Sequence, residues 1–66
     1  MDIYFYEGYE DAKNSLRYAT LSNADLFKLA GCYFREYAKD KDTYAFGQCK
    51  GINEILANRI LKGRVA

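Results

Sequence analysis

A small, mainly all-α domain is the fold this sequence predicts, and three observations predict it. None of the 66 residues is proline, so no position forbids a long helix. Ser22-Asn23-Ala24-Asp25, flanked by Leu21 and Leu26, has the form of a helix start with its cap and its hydrophobic staple. Two stretches with apolar residues at helical spacing lie on either side of the charged tetrapeptide Lys39-Asp40-Lys41-Asp42. Together these predict a three-helix domain: an antiparallel hairpin of helices over about 22–39 and 43–62, buttressed by a first helix over about 9–19. No repeat, low-complexity stretch or linker divides residues 1–66, which read as one helical domain.

Met1 to Tyr6 is rich in aromatic and β-branched residues, with Ile3 and Phe5 alternating against Tyr4 and Tyr6, so the pattern predicts a short extended or β-like N-terminal arm ended by Gly8. Tyr9, Ala12, Leu16 and Ala19 then recur on one helical face, behind Glu10 and Asp11, whose charge suits a helix N-terminus. In the next helix the inner face is Leu26, Leu29, Ala30, Tyr33 and Tyr37. Phe27 and Phe34 form a second stripe about a quarter-turn away, which predicts contact with two neighbours. Asp40 or Asp42 is placed to cap the last helix, whose inner face reads Ala45, Cys49, Ile52, Leu56 and Ile60. Gly63 sits where a left-handed glycine would end it, leaving residues 64–66 frayed.

Size and composition narrow the function. A chain of this length buries only about 60% of its unfolded surface, so its stability is modest and a partner is a natural supplement. Two cysteines, Cys32 and Cys49, are too few for a disulfide framework, and without histidine the usual zinc spacings cannot be assembled, so neither a cofactor nor a metal is expected. A cytoplasmic, reducing setting fits these two cysteines, read as unlinked thiols. No stretch approaches the roughly 20 apolar residues that cross a bilayer. The net charge is +1, but the acids Asp2, Glu7, Glu10 and Asp11 open the chain, while Lys50, Arg59, Lys62 and Arg64 close it against Glu54 alone.

Catalysis has little support, because no serine or cysteine lies in a nucleophile motif and no histidine is present to serve as a base. Seven tyrosines without a tryptophan are the most distinctive feature of the composition. Tyr4, Tyr6, Tyr18 and Tyr44 fall off the core stripes and are candidate partner contacts, since exposed tyrosine gives large contact area at low entropy cost. Gly47 and Gly51 project together from the last helix, and two readings stand: a partner's backbone, including that of a second copy in a homodimer, approaches there, or helix 1 does. The leading expectation is a small non-catalytic protein-binding module that inhibits or adapts a larger protein. One alternative is a nucleic-acid-binding accessory using Lys50, Arg59, Lys62 and Arg64, and another is a self-associating structural protein.

From Leu21 to Arg59, a capped helix containing Tyr33-Phe34, a polar turn and a helix containing Glu54-Ile55 resemble the small helical-hairpin inhibitor of the sporulation histidine kinase. In size and style the chain is also similar to small phage-encoded proteins that inhibit host enzymes or defence systems. These resemblances imply a helical hairpin acting on a larger protein, and they carry over no functional residues.

Overall fold

The structure is a computed structural model that describes residues 1–64. Four helices and no strand are found among them: α1 (Ile3–Lys13), α2 (Leu16–Thr20), α3 (Asn23–Asp40) and α4 (Thr43–Arg64). The all-α class and the antiparallel α3–α4 hairpin stand as the sequence predicts. None of the helices is long and apolar enough to cross a membrane.

The N-terminal arm is a correction: residues from Ile3 onward are helix, not extended chain. Asp2 supplies the start, its carboxylate accepting from the Phe5 amide at 3.0 Å. The same carboxylate accepts from the Thr43 hydroxyl at 2.8 and 2.9 Å, which ties the beginning of α1 to the beginning of α4 and holds the Asp2 carboxyl below its ordinary range. Lys13 reaches Glu54 at 3.8 Å near the other end of α1, so α1 runs parallel to α4.

Glycine explains why aromatic, β-branched residues become helical here. A Cβ on Gly51 would stand 2.6 Å from Ala12 Cβ and 2.8 Å from the Tyr9 carbonyl, and one on Gly47 would stand 2.8 Å from the Tyr9 amide and collide with the Phe5 carbonyl. On the facing side, a Cβ on Gly8 would collide with the Tyr44 carbonyl and meet the Gln48 amide at 3.2 Å. Small residues on both helices let the two backbones touch, and this tertiary fit outweighs the weak local preference for extended structure. Gly8, expected to end the arm, is a buried contact inside α1.

The first helix also divides where one helix over about 9–19 was expected. Asn14 closes α1, its amide donating to the Glu10 carbonyl at 3.0 Å, and the Ser15 hydroxyl caps α2 by accepting from the Tyr18 amide at 3.1 Å. The break rotates the following residues. Leu16, expected on the inner face, is 86% exposed, whereas Tyr18 is 6% exposed and enters the core.

α3 begins as expected, with Ser22 Oγ accepting from the Asp25 amide at 3.1 Å. It ends at Lys41, the one residue with positive φ among the described residues, at 59° in the left-handed region. Asp42 caps α4 through the Ala45 amide at 3.1 Å. The core gathers Ala12, Tyr18, Leu26, Ala30, Cys49, Ile52 and Leu56, with Leu21, Leu29, Tyr33 and Ile55 packed around it. Ile60 is a second correction at 53% exposure. It lies one turn beyond Leu56, where the hairpin has already passed the start of α3. α4 also runs through Gly63 to Arg64 without a left-handed glycine, so the expected stop at residue 62 is not found. Of the residues expected to fray, 64 is still helical, and 65 and 66 lie outside the described residues. Cys32 is exposed, Cys49 is buried and the two are not joined.

One polar chain joins all four helices. The Tyr18 hydroxyl donates to Gln48 Oε1 at 2.7 Å and, having a single proton, accepts from the Tyr33 hydroxyl at 2.9 Å; Gln48 Nε2 donates to the Gly8 carbonyl at 2.7 Å. Burial and the bond with Tyr33 push the ionisation of Tyr18 far above its ordinary range, so the hydroxyl stays a neutral donor.

Candidate interaction surface

The direction of Gln48 separates the two faces of the molecule. Gln48 points to the side of α4 that α2 covers, and Phe46, two residues earlier and so about 200° around the helix, points to the other. On that uncovered side Phe46 stacks on Tyr37 of α3, with centroids 4.4 Å apart and planes at 14°, and meets Phe5 of α1 at 5.5 Å. Phe5 in turn contacts the edge of Tyr6 at 5.1 Å and stacks with Tyr9 at 6.3 Å. An aromatic row thus crosses α1, α4 and α3.

Beside the row lies an open groove of about 540 Å³ between α1 and α4, lined by Phe5, Tyr6, Tyr9, Lys50, Asn53 and Glu54. Two of its polar groups, Tyr9 and Glu54, are already engaged. The Tyr9 hydroxyl donates to Glu54, which raises the ionisation of Tyr9, and Lys13 sits over the Tyr9 ring at 4.7 Å while pairing with Glu54. A phenol held protonated by a carboxylate is a poor base at neutral pH. Among the described residues no group of three or more His, Cys, Asp or Glu side chains is placed to hold a metal ion.

Along α3 the row continues into solvent. Phe34 lies one turn before Tyr37, and Phe27 two turns before Phe34; they are 52% and 59% exposed. The second neighbour expected for this stripe is not found among the described residues. Ala24, Phe27, Gly31, Phe34 and Ala38, all exposed, form a strip at alternating spacings of three and four, turned about a third of a turn from the core face. Gly31 is the unusual member. A glycine inside a helix costs about 1 kcal/mol relative to alanine. At Gly8, Gly47 and Gly51 the close approach of α1 and α4 offsets this, but nothing lies within 4 Å of where a Cβ on Gly31 would stand.

The residues singled out from the sequence fall in different places. Tyr6 belongs to the uncovered face. Tyr4 is exposed, but two residues from Tyr6 it points about 200° away from it. Tyr18 is buried in the polar chain, and Tyr44 joins α4 to α1 by donating to Asp11 at 2.7 Å. Gly47 and Gly51 are buried under α1, so between the two readings of that glycine pair the intramolecular one holds.

Of the basic set, Lys50 stands apart from Arg59 and Lys62. Arg59 donates to Asn23 Oδ1 at 2.8 Å and to the carbonyls of Ala19 and Tyr18 at 3.0 and 3.4 Å, which makes it a strap across the end of α2. Lys62 lines a shallow hollow of about 220 Å³ with Ala19, Ile55, Asn58 and Arg59. Lys50, nine residues from Arg59, points to the opposite side of α4. Arg64 closes α4.

Nothing local in the sequence marks Gly31, and Phe27 and Phe34 read there as a stripe packed on a second neighbour. The spacing of the two phenylalanines was visible, but only the count of helices packed on α3 reveals that their stripe has no cover. Comparison with protein-family models, with curated proteins and with solved structures finds no match to this chain.

Proposed function

We propose that this protein is a non-catalytic protein-binding module, encoded by a phage or mobile element, that works through the uncovered aromatic face as an inhibitor or adaptor of a larger protein. One observation carries the reading: Phe27 and Phe34 hold large apolar surface in water on a helix whose core contacts are already made by another face. Aromatic anchors of this kind dominate the energetics of protein interfaces. Tyr6 and the groove beside it extend the surface across α1 and α4.

The test is capture of a partner from lysate by the wild-type chain and by a Phe27→Ala, Phe34→Ala double variant, each with and without nuclease, with complex masses from light scattering. The expected result is a protein complex that survives nuclease and is lost in the double variant. Capture that survives the double variant, or that nuclease abolishes, refutes the reading, and the second result favours a nucleic-acid accessory instead. Arg59→Ala is a poor probe of that alternative, because it also removes the strap over α2.

A further inference from the structure

We propose that the outer strip of α3 is a docking groove for an acidic amphipathic helix, an inference that rests on the protein-binding reading and names the chemistry of the partner. Phe27 and Phe34 stand two turns apart, about 10.5 Å along the axis, with Gly31 between them. With no side chain at Gly31, open space lies on the helix surface between the positions of two exposed rings. An apolar side chain of a partner helix fits such a space as a knob fits a hole, and Ala24 and Ala38 let the partner stay close at both ends.

The rim fixes the sign of the partner. Each ring is followed by a base, Phe27 by Lys28 and Phe34 by Arg35, so two cations seven residues apart line one edge of the strip. Both are exposed, and neither takes part in an ion pair among the described residues. Carboxylates on a docking helix would meet these cations as the strip loses water, giving register and preference without a change of fold. A second copy is the less favoured occupant, because two copies laid antiparallel about a twofold axis would bring the Lys28 and Arg35 rims together, placing like charges side by side. An anionic membrane is less favoured too, since Asp25, Glu36 and Asp40 on the same helix dilute its positive charge.

The probes are two synthetic amphipathic helices that share one leucine strip at heptad spacing and differ only in their flanks, glutamate in one and lysine in the other, titrated into the full chain. The glutamate peptide is expected to bind at least about tenfold more tightly, a difference that shrinks as salt rises. Gly31→Gln, which fills the space between the rings, is expected to weaken it about tenfold with the helical signal kept and the melting temperature not lowered. Lys28→Glu with Arg35→Glu is expected to invert the preference between the peptides. Equal binding of both peptides, or tighter binding of the lysine peptide, overturns the proposal. So does a homodimer that Gly31→Gln dissociates, or binding to phosphatidylserine vesicles that Gly31→Gln abolishes. If the peptides fail while capture from lysate still depends on Phe27 and Phe34, the protein-binding reading survives and only the acidic partner is refuted.

Discussion

Replacing Gly51 and Gly31 by alanine, one at a time, makes the same chemical change on two helices with opposite expected signs. Either substitution gains about 0.8–1.0 kcal/mol of helix propensity. At Gly31 that gain stands alone, because no atom lies within 4 Å of the new methyl group. At Gly51 the methyl would sit 2.6 Å from Ala12 Cβ and 2.8 Å from the Tyr9 carbonyl, so α1 must move away from α4. Overpacking of a tight contact costs about 1–3 kcal/mol, which outweighs the propensity gain and leaves Gly51→Ala destabilised by up to about 2 kcal/mol. The variants should therefore differ by about 1–3 kcal/mol in equilibrium urea denaturation, with Gly31→Ala above the wild type and unchanged denaturant slopes. If Gly51→Ala raises the midpoint as much as Gly31→Ala does, α1 does not lie on the glycine track and the parallel α1–α4 packing is wrong.

Three further expectations follow from single contacts. Tyr18→Phe removes the donor to Gln48 Oε1 and should cost about 1–3 kcal/mol, read as a fall in melting temperature of about 4–8 °C for each kcal/mol; an unchanged melting temperature would show that the polar chain contributes nothing. Lys41→Gly should raise stability by about 1 kcal/mol, since Lys41 holds φ at 59° and glycine does so without steric cost; a loss of stability would place that residue elsewhere in φ. The hydrogen bond to Asp11 pushes the ionisation of Tyr44 from 10.0 up to about 12. A group raised on folding stabilises fully below its unfolded value, so this contribution should be intact below pH 10 and decline as pH rises through about 12. Unfolding followed against pH should lose that decline in Tyr44→Phe, and a decline that persists there belongs to another group.

The hairpin was legible in the sequence because its signals are local. Ser22 and Asp42 cap the helices they precede, and Leu26, Ala30, Ile52 and Leu56 repeat at spacings that one partner helix explains. What was not legible depends on distant residues. Phe5, Gly8, Tyr9 and Ala12 have helical spacing, but Gly8 resembles a break until Tyr44 and Gln48, some forty positions later, are seen against it. Likewise Ser15 carries no cap signal strong enough to stand out in the sequence, and once it starts a new helix Tyr18 replaces Leu16 inside. The candidate surface was hidden for the converse reason: an apolar stripe shows that something covers it, and Phe27 and Phe34 have no cover within the chain.

The most direct test of the account is a residue-resolved NMR titration of the full chain with the partner captured from lysate, following backbone amides and aromatic side chains. The account predicts that the largest changes fall on Phe27, Gly31 and Phe34 of α3 and extend to Phe46 and Tyr6, with α2 little affected. Changes centred instead on α2, Arg59 and Lys62, with the α3 strip silent, would contradict it.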